Sequence, residues 1–222
     1  MIRTVVLDVG ETLVRDDRHW GSWADWLGVP RHTVSALVGV AVVDGRDPSD
    51  ALRLLKPGFD PAAEYAAREA AGRGERLDAS DLYDDVRPAL GALRAMGVRV
   101  VVAGNQSAKA GDLLRALDLP ADLVVTSAEW GVSKPGPDFF HQVVGAAQAP
   151  AGQTLYVGDH PRNDIFPAAR AGLLTAHLRR GPWGHWWADD ETVRQVADFS
   201  IDSLLELPGL VDPSWGKPPP PA

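Results

Sequence analysis

The chain has 222 residues, 45% of them hydrophobic, no cysteine and a formal net charge of −8. That length suits one large domain or a core carrying a smaller insertion. The acidic balance, with no basic stripe, excludes nucleic acid as a partner, and the missing cysteines exclude disulfides and thiolate chemistry. No run of 18 apolar residues predicts a membrane span. The amino end runs straight into the first apolar segment and leaves no room for a signal peptide, so a cytoplasmic location is the expectation.

Thr4-Val5-Val6-Leu7 is too short for a helix and reads as a strand buried on both faces, ending at Asp8. Gly10 then lets the chain turn away and leaves space beside Asp8. From there to about Arg87 no parallel-strand run appears. Trp20, Trp23 and Leu27 recur at helical spacing, as do Val34, Leu37, Val38 and Ala41. Ala51, Leu54 and Leu55 follow, then Tyr65, Ala66 and Glu69. Pro30, Pro48, Pro57 and Pro61 punctuate these pieces near helix starts. About four helices are predicted here, with the Trp20/Trp23 face used for packing.

From Val86 helix and strand alternate. A helix on Val86, Leu90 and Leu93 closes at Gly97, and a β-branched strand over 98–103 stops at Gly104-Asn105. Ser107 is the expected N-cap of a helix facing inward through Ala110, Leu113, Leu114 and Leu117. Leu123 to Thr126 is the next strand, and the loop after it carries Lys134 into a helix bearing Phe140 and Val143. Leu155-Tyr156-Val157 is a strand ending at Gly158-Asp159, with Asp164 five residues on. A helix on Ile165, Ala168 and Ala169 closes at Gly172, and Leu173 to Leu178 is a further strand. Residues 181–187, Gly-Pro-Trp-Gly-His-Trp-Trp, read as a loop. As a loop it suits a pocket wall for an aromatic or sugar ring, internal packing or a homodimer contact. A short helix near Leu204 and a loose Pro-rich tail end the chain.

This alternation predicts an α/β fold, a doubly wound parallel sheet over 1–14 and 86–212. A helical cap over 15–85 is inserted into it, and 213–222 form the tail. Loops leaving the strands' carboxyl ends bring Asp8, Gly104-Asn105, Lys134, Asp159 and Asp164 to one sheet edge, where such folds bind ligands. Three carboxylates offer hard oxygen donors suited to Mg²⁺, which in turn suits an anionic, phosphorylated small molecule. Asp8 is the natural nucleophile, and Lys134 would orient it and offset charge on the transferred group.

Leu7 to Leu13, Val102-Ala103-Gly104-Asn105, Gly131-Val132-Ser133-Lys134-Pro135, and Val157-Gly158-Asp159 through Asp164 together resemble the haloacid dehalogenase (HAD) superfamily. The resemblance implies a Rossmann-like core with a helical cap and a Mg²⁺-dependent phosphohydrolase. Asp8 would be the nucleophile, with Asp8, Asp159, Asp164 and the Gly10 carbonyl serving the metal. Gly104 and Asn105 would face the phosphoryl group. Two departures stand out. A second aspartate, the usual acid and base, is replaced by Gly10, and the usual phosphoryl-binding Ser/Thr is Gly104. Turnover is therefore expected to be slow unless Glu11 or His160 substitutes, since general acid–base help contributes about 10²–10⁴-fold. The alternatives are a weakly catalytic phosphate-binding regulator, a dehalogenase, and a phosphonatase. The acidic loop speaks against the dehalogenase, which needs no metal. The phosphonatase needs a cap lysine, and only Lys56 is there.

Overall fold

The computed structural model describes residues 1–212 and 214, so the Pro-rich tail predicted for 213–222 lies largely outside the described residues. The apolar run Thr4–Leu7 forms β1, with all four residues buried. Four helices follow: α1 (Asp17–Leu27), α2 (Arg31–Val43), α3 (Asp50–Leu55) and α4 (Pro61–Ala70). After α5 (Val86–Ala95) come β2 (Arg99–Gly104), α6 (Ala108–Ala116), β3 (Leu123–Thr126), α7 (Ser127–Trp130) and α8 (Pro137–Ala147). Next are β4 (Thr154–Gly158), a π-helical turn over Pro161–Ile165, α9 (Phe166–Arg170) and β5 (Leu174–Leu178). Last come α10 (Gly181–Trp186), α11 (Glu191–Val196), β6 (Phe199–Ile201) and α12 (Leu207–Val211).

All six strands are parallel, in the order β3-β2-β1-β4-β5-β6. The chain winds outward from β1 in one direction, then returns to β1's other side to continue through β4. The gap between the carboxyl ends of β1 and β4 is thus the topological switch point, where open α/β sheets leave a crevice for ligands. Cover on both faces accounts for the apolar runs of the central strands β1 and β2.

Local chemistry fixes the elements as the sequence suggests. Ser107 Oγ accepts from Ala110 N at 3.0 Å and caps α6, a contact worth about 1 kcal/mol. Thr126 and Glu129 form a reciprocal capping box at α7. Gly97 and Gly172 follow their helices with φ of 76° and 79°, a conformation costly for a residue with a Cβ. In the core, Phe139, Phe140 and Tyr156 stack edge to face at ring distances of 5.4 Å.

Two expectations need correction. Residues 181–187 are not a loop, because Gly181–Trp186 is helical. Pro182 sits in the first turn, where its missing N–H costs nothing. Gly184 lies where a Cβ would collide with the Leu178 carbonyl. Burial of Trp183 holds the helix despite two glycines. The second correction is that α11 and the three-residue β6 extend the regular region beyond β5.

The chain divides into two compact units, 1–14 with 82–222 and 15–81. In the second unit Trp23 is buried against Phe59 and Tyr65 at 5.4 and 5.0 Å, with the Arg68 guanidinium 4.1 Å from its ring. No single described helix is long and apolar enough to cross a membrane.

His19, half-buried beside Trp20, has its pKa pushed down to about 4, first by burial and then by Arg68. An unfolded histidine titrates near 6.5. Between these values the unfolded chain binds more protons, so His19 costs stability progressively as pH falls from about 6.5 towards 4. Asp8, whose folded pKa is raised, acts with the opposite sign, so the His19→Gln variant isolates the effect. Urea unfolding at pH 7 and pH 5 should show wild type losing on the order of 1–2 kcal/mol more than the variant. Equal losses would contradict the assignment.

Candidate active site

Asp8 follows β1 directly, and its N–H continues the ladder by donating to the Val157 carbonyl at 2.9 Å. The Val9 carbonyl then accepts from Thr12, Leu13 and Val14, which folds the chain back within five residues. The left-handed residue of this turn is Glu11, with φ of 50°, and not Gly10. On β2's far end, Gly104 sits so close to Asp8 that a Cβ there would lie 2.6 Å from Asp8 Oδ1. A side chain at 104 would make the Asp8 carboxylate shift from this position.

Lys134 Nζ donates to Asp8 Oδ1 and to Asp164 Oδ1, both at 2.6 Å. All three side chains are nearly or fully buried. Asp159 completes the group, with carboxylate oxygens of Asp8, Asp159 and Asp164 all within 4.8 Å of one another. The sequence-predicted acids and lysine thus converge on the switch point. The Asn105 side chain reaches the lysine loop. Its Nδ2–H donates to the Lys134 carbonyl at 2.9 Å and its Oδ1 accepts from Lys134 N at 2.8 Å, which fixes the lysine's backbone.

Electrostatics follow from this geometry. Burial raises the Asp8 pKa to about 6, with Lys134 pulling it down and Asp164 pushing it up. Burial opposes the charge on Lys134, but Asp164 and Asp8 outweigh it and hold the ammonium protonated. Three carboxylates against one ammonium leave two negative charges uncompensated when all are ionised. A hard divalent cation with oxygen ligands matches both that charge and that donor set.

Several contacts around these residues were not legible in the sequence. Gly158 leaves room for Asp164, whose carboxyl carbon a Cβ there would overlap. His177 Nε2–H donates to the Asp159 carbonyl at 3.0 Å from β5. His160 N donates to Asp164 Oδ2 at 3.0 Å. In the turn after Asp8, Glu11 Oε2 accepts from Tyr83 Oη. Arg180 lies 4.0 Å over the Tyr83 ring, donates to the Thr12 carbonyl at 2.8 Å, and pairs with Asp85 at 2.5 Å. Only their positions at strand ends or beside motif residues hinted at these contacts.

A doubly wound parallel sheet with an acidic cluster at its switch point defines a Rossmann-like α/β protein. The family model of the haloacid dehalogenase-like hydrolases matches residues 2–172, and the chain belongs to that family. A glyceraldehyde 3-phosphate phosphatase from Methanopyrus kandleri is 32% identical over 164 residues, covering 72% of this chain and 70% of that one. Another of that name, from Methanocaldococcus jannaschii, is 34% identical over 122 residues, covering 54% of this chain. Those residues are 51% of the relative, so the chain spans about half its length. A ribulose-1,5-bisphosphate 5-phosphatase from Halopiger xanaduensis is 32% identical over 61% of this chain and 59% of its own. Among solved structures, the HAD-hydrolase YfnB from Bacillus subtilis bound to magnesium matches with a TM-score of 0.69. It is 19% identical, with 95% of this chain and 99% of that one covered, which is a likeness of fold.

Proposed function

We propose that this chain is a Mg²⁺-dependent phosphatase acting on a small phosphorylated metabolite. Asp8 is the nucleophile, Asp8, Asp159 and Asp164 with the Gly10 carbonyl hold the metal, and residues 15–85, of which 15–81 form the second compact unit, are the helical cap. The observation that carries the reading is Lys134 bridging Asp8 and Asp164 at 2.6 Å beside Asp159. The phosphatases among its relatives support the substrate class. A cytoplasmic setting suits a metabolite substrate.

Bound Mg²⁺ would neutralise phosphate charge and hold the phosphoryl group in line. An Asp8 carboxylate oxygen forms a bond to phosphorus as the ester P–O bond breaks, giving an aspartyl phosphate and an alcohol. Lys134 keeps the attacking carboxylate ionised and balances charge on the phosphoryl oxygens. Water then attacks phosphorus, releasing orthophosphate and restoring the carboxylate. Glu11 is tied by Tyr83, and His160 Nδ1 accepts from backbone amides. In this reading the proton for the departing alkoxide comes from solvent, because Gly10 offers no acid.

The experiment is a hydrolysis screen over triose, pentose and other sugar phosphates, with Mg²⁺ and with chelator. Mg²⁺-dependent release of orthophosphate from at least one of them is expected. Activity unchanged by chelator, or none on any phosphate ester, would contradict the reading. Gly10→Asp should raise steady turnover of an alkyl phosphate by about 10-fold or more, because it restores an acid and base two residues after the nucleophile. An unchanged rate at saturating Mg²⁺ would show that proton transfer is not limiting.

A further inference from the structure

The Trp-rich segment after β5, which the sequence leaves open among three roles, meets the acidic loop at two points. The Trp183 indole stacks on the His160 imidazole with ring centres 3.9 Å apart and planes 22° from parallel. The Arg162 guanidinium lies 5.6 Å over the Trp187 ring. Both His160 and Arg162 sit between the two aspartates of that loop. His160 Nδ1 accepts from the N–H groups of Arg162 and Asn163 at 3.2 and 3.3 Å, so the imidazole caps the π-helical turn and its own proton is on Nε2. The same residue's backbone N–H holds Asp164 Oδ2, while Lys134 holds Asp164 Oδ1. The Asp164 carboxylate is therefore oriented at both oxygens, and one of the two supports depends on where His160 sits.

We infer that Trp183 is a positioning residue for the metal centre: by stacking on His160 it fixes the turn that aims Asp164, and so sets divalent-cation affinity. The inference rests on the metal reading proposed above. Trp183 is nearly buried, and its helix is itself anchored, with Gly184 pressed against the Leu178 carbonyl. The ring is thus a fixed wall against which the imidazole is located, and it touches no reacting atom. Outer partners of metal ligands typically change affinity by about 10–100-fold when removed.

The test is isothermal titration of Mg²⁺, and of Mn²⁺ as a tighter-binding probe, into metal-free wild type and variants without substrate. Trp183→Leu and His160→Ala should each raise Kd roughly tenfold or more, and Trp183→Phe, which keeps a stacking face, should recover most of the loss. Thermal unfolding in chelator runs in parallel. Should Trp183→Leu fail to fold, Trp183→Met, which keeps apolar volume without a stacking face, carries the test against Trp183→Phe. Variants with lowered thermal stability but wild-type Kd would reduce Trp183 to a packing role and overturn the inference alone. A wild type that binds neither cation would overturn the metal reading, and this inference with it.

Discussion

Asp8→Asn is expected to abolish hydrolysis, with a loss of about 10³-fold or more in kcat, and to leave the fold intact. The amide has nearly the carboxylate's shape, so the close approach to the Gly104 backbone remains satisfied. Lys134 keeps its bond to Asp164, so no ammonium is left buried and alone. The amide cannot form the bond to phosphorus. A nucleophile and a mere metal ligand are separated by titrating Mg²⁺. A ligand defect recovers as the cation saturates, whereas a lost nucleophile does not. Thermal unfolding within a few degrees of wild type, with activity absent at saturating Mg²⁺, is the predicted pair of results. Activity restored by excess Mg²⁺ would remove Asp8 from the role of nucleophile.

Lys134→Met has the second large effect, and it falls on stability as well as rate. The methionine fills similar volume but leaves Asp8 and Asp164 facing each other, buried, with no cation between them. Removing one partner of a buried ion pair costs about 3–5 kcal/mol. Urea unfolding in chelator should show a loss of that order. Saturating Mg²⁺ should restore part of it, because a ligand that binds only the folded state stabilises by mass action. The loss should also shrink at pH 5 relative to pH 8. Asp8, whose folded pKa is raised to about 6 even with the lysine present, then carries its proton. Turnover should fall by about 10²–10³-fold, as when a preorganised charge-stabilising donor is removed. Wild-type stability in chelator would show that Lys134 is not what keeps the carboxylates compatible.

Much of this arrangement was legible in the sequence, for particular reasons. β1 could be read because Thr4 and three apolar residues ending at Asp8 are too few for a helix and too apolar for a strand with one wet face. Asp159, Asp164 and Lys134 could be placed because strand ends fix one edge of the sheet, whatever the loops do. Ser107, Gly97 and Gly172 announced helix ends by chemistry that acts locally. What failed to show depends on contacts distant in sequence. Helix α10 carries two glycines and a proline and is held by burial of Trp183, which no local propensity reports. The left-handed turn residue is Glu11, although Gly10 beside it would adopt that conformation more cheaply. The bond that ties the Asn105 amide to a backbone carbonyl 29 residues away has no local signal either. The support that His160 and His177 give to the acidic loop was equally hidden, since each acts through a backbone group rather than a motif.

The central claim is that Asp8 becomes phosphorylated and that, with Gly10 in place of an acid and base, removing that phosphoryl group is the slow step. An aryl leaving group such as p-nitrophenolate needs no proton to depart, whereas breakdown of the aspartyl phosphate by water lacks a base whatever the substrate. The most direct measurement is rapid mixing of the Mg²⁺-loaded protein with p-nitrophenyl phosphate, following nitrophenolate through the first turnover. The account predicts a burst of about one nitrophenolate per active site and then a slow linear phase, with the burst absent in Asp8→Asn. A linear trace from the first instant, at the same steady rate for aryl and alkyl phosphates, would contradict it.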